Sequence, residues 1–523
     1  MEALSQEAGP PAAGGRAPEE PALVFVGFMG AGKSGAARLV AAELGLAPID
    51  SDAEIERELG ESVESLFDRE GESAFREREE AAVLALLEAP DARVVSLGGG
   101  ALGSERVRAA LQAHTVVHLD VEPAEAWRRV SKKGRPLARD RERFEALHAE
   151  RRPVYEEVAD ATVLDGGRDA ALRASHALAA LGHAPTGTRL VWASAASGDY
   201  PVFCGPGLIQ SGFFHPVDGR RFVVTDEHVA RHHELESAEH TIRIPAGEQA
   251  KTLSQAEAVL RELARAEVEG GDLVVALGGG VLGDLAGFCA AVYQRGIRHV
   301  QVPTTLVSQV DSAFGGKTGV DLPEAKNYAG AYHQPAAVLV DPAALETLPP
   351  EELAAGYAEV VKTALIAGGE LWEQVGAGAD VDERIIMACI RAKLGVVAED
   401  ERDAGRRQVL NLGHTVAHAI EAATGYARYR HGEAVAIGLL CALRLSGRDE
   451  LRAQVARLFE ARGLPAAFDG ASADEVLALV ARDKKRSGGE VPFVLVDGPG
   501  AVSEGQSVGA EELRAAIEEA RAA

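Results

Sequence analysis

An apolar run over residues 22–26 leads straight into Gly27-Phe28-Met29-Gly30-Ala31-Gly32-Lys33-Ser34, which fits G-x-x-x-x-G-K-[ST]. Few segments leave a chain so little choice of fold. The glycines let successive backbone N–H groups wrap an anion at the start of a helix, so the order must be strand, loop, helix. The flanks agree: A-L-V-F-V before, and the helical pattern A-A-R-L-V-A-A-E-L after. In such a loop Gly30 and Gly32 shape the cradle, Lys33 reaches the terminal phosphates, and the Ser34 hydroxyl can ligate magnesium. A short strand then ends in D-S-D. One of Asp50 and Asp52 is expected to hold magnesium through water, and the other to accept hydrogen bonds from a hydroxylated substrate. Arg76 follows within a run of acids, where a lone arginine ordinarily forms a surface ion pair.

At 523 residues the chain exceeds what one hydrophobic core organises, so two or three domains are expected. Its formal charge of −26 argues against nucleic-acid binding, which needs a basic footprint. Anionic substrates must therefore be drawn into local basic pockets. Cys204, Cys289, Cys389 and Cys441 form no C-x-x-C pair and read as buried thiols of a cytoplasmic protein. No apolar run reaches membrane-spanning length. Residues 1–20, rich in Ala, Gly, Pro and Glu, lack the basic start and apolar stretch of a signal peptide and read as a disordered tail.

Past a connector of small residues and a proline at 183–188, apolar runs at 221–226 and 272–280 alternate with helical patterns up to about residue 343. This is the rhythm of an α/β nucleotide-binding domain. Residues 278–283 match G-x-G-x-x-G, with Asp284 next and Glu248 and Lys251 upstream. The same pattern at 98–103 shows how little it proves alone. The G-G-K-T at 315–318 is not a second phosphate loop, because Asp311 stands where the first glycine belongs. Lys317, Lys326 and Asn327 still suit an anion. Beyond residue 345 the periodicity is helical to the end. There Glu359 and Lys362 lie three apart, on one face of an apolar helix, and read as a buried functional pair. Residues 393–431 then gather Lys393, Arg407, Asn411, His414, His418 and His431. His414 and His418 would share a helix face, and with a third imidazole from the next element they suggest a divalent-metal site. Which histidines hold the metal is left open by the spacing. The neighbouring cations and amides suit a phosphorylated substrate.

The loop, D-S-D, F-x-x-x-G-E-x-x-F-R-x-x-E, L-G-G-G at 97–100, G-R-P-L at Arg135 and R-x-P-x-Y at Arg151 together resemble the shikimate kinases over residues 21–182. The resemblance implies that Asp52, Arg76, Gly99 and Arg151 hold shikimate, the arginines on its carboxylate. It gives Ser34 and Asp50 to magnesium and places Arg135 on a lid over ATP. Gly35 departs from the family's usual threonine.

Residues 189–523 resemble the 3-dehydroquinate synthases. The motifs are G-G-G-V-x-G-D, P-T-T-L, V-D-S-x-x-G-G-K-T, K-N, A-E-V-x-K, R-x-x-x-N-x-G-H-T-x-x-H, H-G-E, and D-K-K ending at Lys485. Ala325 replaces the family's usual glycine before K-N. The resemblance assigns a zinc or cobalt ion to Glu359, His414 and His431, and leaves His418 to handle a proton near the phosphate. It places NAD on Gly279, Gly280 and Asp284, with Asp226, Glu248, Lys251, Thr304, Thr305, Lys317 and Lys326 around it. Asp311, Lys317, Asn327, Lys362, Lys393, Arg407, Asn411 and Lys485 would line the substrate site, with Arg295 reaching across a homodimer interface.

The expected architecture is thus α/β. A P-loop kinase domain (21–182) is fused to a two-part synthase, a Rossmann-like NAD-binding α/β part (189–343) followed by an α-helical metal-binding part (344–523). The implied activities are ATP-dependent phosphorylation of shikimate and conversion of 3-deoxy-D-arabino-heptulosonate 7-phosphate to 3-dehydroquinate. A metal-dependent polyol dehydrogenase behind an unrelated small-molecule kinase is the alternative. The phosphate-binding cations speak against it, since a simple alcohol has no phosphate to hold.

Overall fold

A computed structural model describes residues 21–89, 93–131, 140–164, 167–214, 217–486 and 492–522. The expected tail at 1–20 and the lid arginine Arg135 lie outside these. The chain divides into two compact units, Met1–Gly182 and His183–Ala523.

In the first unit, β1 (Leu23–Val26), β2 (Pro48–Asp50), β3 (Val94–Ser96), β4 (Thr115–Leu119) and β5 (Ala161–Val163) form a sheet in the order β2-β3-β1-β4-β5. All its neighbours are parallel. Parallel strands covered on both faces read as continuous apolar runs, and β1, β3, β4 and β5 are buried at every residue. The phosphate loop leaves the carboxyl end of β1 and enters the helix Lys33–Glu43. Gly32 caps that helix at φ 94°, a backbone setting that a side chain resists.

The second unit is built on β6 (Arg189–Ala193), β7 (Tyr200–Cys204), β8 (Arg221–Asp226), β9 (His240–Ile244), β10 (Leu273–Gly278) and β11 (Arg298–Pro303). A hairpin, β12 (Lys317–Leu322) and β13 (Ala325–Tyr332), stands apart from the main sheet before β14 (Ala337–Val340) rejoins it. The sheet order is β6-β7-β14-β11-β10-β8-β9. Its neighbours are parallel except β6 against β7. One face buries Val224, Val274, Ala276, Leu285 and Ala286 in a shared core.

Helices follow. Pro350–Ala367 is buried continuously from Ala355 to Ile366, so it is a central helix rather than an amphipathic one. Glu383–Glu399, His414–Ala423 and His431–Leu445 pack around it or beside it. The expectation of helix to the end fails at β15 (Phe493–Gly498) and β16 (Ala501–Gln506), an antiparallel hairpin. Its strands are short and joined by Pro499-Gly500, with Gly500 at φ 80°. That turn signal interrupts the helical period that the flanking helices Ala473–Arg486 and Ala510–Glu519 carry. All four cysteines are buried and free, and no described helix is long and apolar enough to cross a membrane.

The helices His414–Ala423 and His431–Leu445 approach closely at Gly438, where an added Cβ would lie 2.1 Å from the Gly413 carbonyl oxygen. Backbone cannot swing aside as a side chain does. Gly438→Ala should therefore destabilise the second unit by about 1–3 kcal/mol, the usual cost of overpacking. The shift would be read as a lowered melting transition for that unit, with the first unit's transition unchanged.

Candidate active sites

An open cavity of about 1090 Å³ in the first unit is lined by Ser34, Asp50, Asp52, Arg76, Glu79 and Arg151, among others. Lys33 crosses the phosphate loop, its Nζ donating to the carbonyls of Gly27 (2.9 Å) and Phe28 (3.2 Å). Asp50 caps the helix Ser51–Leu59 by accepting from the Asp52 and Ala53 amides, and it also accepts from Ser96 Oγ at 2.8 Å. Burial disfavours its charge, but Ser34, Ser96 and the two amides outweigh that and hold its pKa below the usual value. Asp50 is thus kept ionised beside the phosphate loop.

Arg76 pairs with Glu79 and, at 3.3 Å, with Glu72. The ordinary surface-pair reading is only half right, since this guanidinium also packs against Gly100 at the cavity wall. Arg151 Nη1 (2.9 Å) and Tyr155 Oη (2.6 Å) both donate to the Gly99 carbonyl. Asp52, Arg76, Gly99 and Arg151 therefore line one cavity.

In the second unit the ligand atoms of Glu359, His414 and His431 lie within 4.8 Å of one another. Glu359 Oε1 is 3.6 Å from His414 Nε2 and 3.5 Å from His431 Nε2. Glu359 is fully buried, and neither of its oxygens accepts a well-formed hydrogen bond. Burial opposes its charge, yet Lys362, His431 and His414 hold its pKa well below the ordinary carboxylate value. Burial, with Lys362 beside it, pushes His414 down to about 3. Its Nδ1 faces the Leu412 carbonyl at 3.2 Å, which turns Nε2 toward Glu359. Burial also opposes a charge on His431, but Glu359 and Glu421 overcome it and carry the pKa up to about 10. A buried carboxylate beside two imidazoles is a donor set that fits a divalent transition metal.

The i, i+4 pairing is not reproduced as a single ligand set. His418 is exposed and groups with Glu421 and His431 instead, although its ring centroid lies 5.4 Å from that of His414.

The cations close in from neighbouring elements. Asp311 sits on a π-type turn, Ser308–Ser312, a distortion that re-aims side chains and recurs at functional sites. Lys393 Nζ reaches its carboxylate at 2.7 Å and its carbonyl at 2.6 Å. Lys362, 1% exposed, pairs with Glu359 and lies 3.6 Å from Asp311. Burial, joined by Lys362, lowers the Lys393 pKa, whereas Asp311 and Glu359 overcome burial and raise that of Lys362. Lys317 pairs with Asp403. The buried Arg407 donates to the carbonyls of Glu401 and, at 3.0 Å, Gly315. Asn411 and Asn327 are exposed, the latter at φ 55°. Ala325 lies in β13 outside the left-handed region, so the loss of a glycine there costs nothing in backbone strain. Arg295 is exposed at φ 71° just beyond the helix Gly280–Val292. Lys485 lies in the last turn of the helix Ala473–Arg486, and its side chain lies outside the described residues.

Of the expected dinucleotide residues, Asp226, Gly279 with Gly280, and Thr304 with Thr305 lie at the carboxyl ends of β8, β10 and β11, whereas Glu248 and Lys251 follow β9 and Lys317 and Lys326 belong to the hairpin. Ligands bind at such strand ends in parallel α/β sheets. Asp226 closes β8 and accepts from the His228 and Val229 amides. Gly279 caps the helix Gly280–Val292, whose N-terminus favours negative charge. Thr304 and Thr305 follow β11, and Thr305 Oγ1 lies 2.8 Å from Ser308 Oγ. Lys251 and Asp284 are ion-paired at 2.5 Å. Lys326 lies 3.4 Å from Glu248 and 3.2 Å from Glu421.

Family models described as the N-terminal and C-terminal parts of 3-dehydroquinate synthase match residues 241–355 and 356–486. The 3-dehydroquinate synthase of Caulobacter vibrioides is 44% identical over 355 residues, covering 61% of this chain and 95% of the relative. This chain belongs to the 3-dehydroquinate synthase family. The synthase of Symbiobacterium thermophilum is also 44% identical, over 62% of this chain and 98% of its own. Among solved structures, a 2-deoxy-scyllo-inosose synthase complexed with carbaglucose-6-phosphate, NAD+ and Co2+ is similar at TM-score 0.56 and 25% identity, covering 63% of this chain and 99% of that one. ValA, a 2-epi-5-epi-valiolone synthase from Streptomyces hygroscopicus with NAD+ and Zn2+ bound, reaches TM-score 0.55 at 26% identity, covering 62% and 97%. A shikimate kinase model matches residues 29–181. The chain therefore joins a shikimate kinase to a 3-dehydroquinate synthase, a phosphotransferase and a lyase of the same pathway.

Three acids in these sites carry no role in the sequence reading. Glu79 faces the kinase cavity beside Arg76, and burial raises its pKa despite that arginine. Asp403 holds Lys317 from a backbone at φ 63°. Glu421 lies seven residues after His414, so the pattern H-x-x-x-H-x-x-E marks one helix face and was the available signal.

Asp311 separates two buried ammonium groups in the synthase unit. Asp311→Ala would leave Lys393 without its carboxylate and cost that unit about 3–5 kcal/mol, as loss of one partner of a buried pair does. Calorimetric unfolding of the full chain, with kinase activity as internal control for the other unit, measures it.

Proposed function

We propose that the kinase unit phosphorylates shikimate to shikimate 3-phosphate with magnesium ATP. The synthase unit then acts on a different metabolite, converting 3-deoxy-D-arabino-heptulosonate 7-phosphate to 3-dehydroquinate with release of phosphate.

In the kinase, Gly30, Gly32 and Lys33 bind the ATP phosphates, and Arg135 would supply a further cation to them. Ser34 and Asp50 would hold magnesium, which supplies charge neutralisation on the transferred group. Asp52 accepts the proton side of the reacting hydroxyl, and Arg76 and Arg151 hold the shikimate carboxylate against the Gly99 wall. The shared cavity of Asp52, Arg76 and Arg151 supports this assignment.

In the synthase, Glu359, His414 and His431 would hold zinc or cobalt, which supplies a Lewis acid for neighbouring substrate hydroxyls. Gly279, Gly280 and Asp284, with Asp226, Glu248, Lys251, Thr304, Thr305, Lys317 and Lys326, would hold NAD, which supplies a reversible hydride acceptor. The NAD+, Co2+ and Zn2+ of the related synthases agree with both donor sets. Asp311, Lys317, Asn327, Lys362, Lys393, Arg407, Asn411 and Lys485 line the substrate site. Within it the cations take the phosphate and carboxylate, while Asp311 keeps Lys362 and Lys393 apart. His418, exposed on the face it shares with His414, moves a proton beside the departing phosphate. Arg295 completes the site from a second copy, which makes the chain a homodimer. The synthase divides near residue 343 into NAD-binding and helical parts, and four buried thiols suit a cytoplasmic enzyme.

The observation that carries the synthase reading is the contact between Glu359 and Lys362, which joins a metal-type triad to the Lys362–Asp311–Lys393 network. Polyol oxidation would need the triad but not the cations. Phosphate release from the seven-carbon phosphorylated substrate, without net NADH, is the expected result. Net NADH without phosphate would establish the dehydrogenase.

His414→Ala should abolish synthase activity and strip bound zinc or cobalt, whereas His418→Ala should lower activity with metal content nearly intact. Metal analysis of the two purified variants decides between them, and equal loss in both would overturn the assignment.

Lys33→Ala should remove kinase activity and leave the synthase within about twofold, and Lys317→Ala should do the reverse. Each loss is expected to cost roughly 2–4 kcal/mol at its own site, as for other single stabilising donors. Steady-state assays of both activities on both variants check this.

A further inference from the structure

Glu421 is a buried acid in the synthase for which neither the ligand set nor the substrate contacts provide a use. It is 2% exposed on the helix His414–Ala423, one turn beyond His418. Acids are almost never so buried without a partner that needs them. Two partners meet its Oε1: His431 Nδ1 at 3.4 Å and Lys326 Nζ at 3.2 Å. Its Oε2 has no hydrogen-bond partner. The other nitrogen of the same imidazole, Nε2, faces Glu359. One imidazole is therefore held between two carboxylates, one on each ring nitrogen. Lys326 is itself fixed on its far side by Glu248 at 3.4 Å and by the ring of Tyr426, 4.9 Å from the ring centroid.

We propose that Glu421 is the positioning residue for His431: it accepts a hydrogen bond from the Nδ1–H of the imidazole, fixing the tautomer that leaves Nε2 free for the metal, while Lys326 anchors the carboxylate. This rests on His431 being a metal ligand. Outer carboxylates on ligating histidines fix ring orientation and raise ligand basicity, and their loss typically lowers metal affinity about 10–100-fold. Lys326 gives the carboxylate a fixed direction, because an acid with a single loose contact would be free to swing toward the ion. The ammonium also disfavours a second cation in the group formed by His418, Glu421 and His431.

The test uses the full chain, stripped with a chelator and titrated with zinc against a chromophoric competitor. Glu421→Gln keeps the shape and removes the charge. Its zinc dissociation constant should rise about 10–100-fold, with one tight site retained and an unchanged melting transition. Excess zinc should restore synthase turnover, because a positioning defect is overcome by mass action and a damaged fold is not. Lys326→Met should weaken zinc less than Glu421→Gln does. Zinc affinity within threefold of the parent, or turnover that excess zinc does not restore, would overturn the proposal. So would loss of a second tight equivalent, which would make Glu421 a ligand instead. His431→Ala, measured in parallel, keeps this inference separate from the ligand assignment. If that variant binds zinc as the parent does, the ligand assignment itself has failed.

Discussion

The synthase unit depends on one fully buried carboxylate. Glu359 has no water to solvate it, and an isolated charge in such a place would be costly enough to neutralise itself or unfold its surroundings. The chain answers with Lys362 one turn along the same helix and with two imidazoles from the helices His414–Ala423 and His431–Leu445. Lys362 in turn approaches Asp311, which also takes Lys393. Five elements are thereby tied to a single charge pattern. The stretch Ala355–Ile366 of the central helix, which carries Glu359 and Lys362, is accordingly buried on all sides. Its polar residues are there to hold the site, and its apolar ones hold the helix.

The same logic orders the kinase cavity, with weaker burial. Arg76 leans between Glu79 and Glu72, and Arg151 is held on the Gly99 carbonyl together with Tyr155. Each arginine is thus preorganised by acceptors from its own unit while its charge stays at an open cavity. Preorganised cations lose less entropy on gripping a carboxylate, and a planar guanidinium matches that anion in geometry. The kinase thus places charge at a solvent-accessible surface where substrate arrives. The synthase keeps Glu359, Lys362 and Lys393 in the interior, where electrostatic interactions are stronger and errors cost more.

The phosphate loop, the G-G-G turn before Asp284 and the histidine-rich stretch were legible because each couples a residue pattern to a local backbone shape. Such shapes depend on residues a few positions apart. The hairpin Phe493–Gln506 was not legible in the helical rhythm around it, since its strands are only six residues each. The metal group is the clearest contrast. Spacing pairs His414 with His418, and on the helix these two do share a face. Only His414 of that pair joins the group, and the other two members, Glu359 and His431, come from other helices.

The amino-acid sequence alone determined the two modules, their order, the phosphate loop and the family motifs, since all are carried by short-range patterns. Only the tertiary structure decided which neighbours those side chains meet. It set His431 between Glu359 and Glu421, turned His414 Nε2 toward Glu359, and gave Lys317 to Asp403 and Lys326 to Glu421. These partners stand up to 95 positions apart, for Lys326 and Glu421. Burial then sets their protonation, because the cost of a charge depends on what surrounds it and not on which residues precede it.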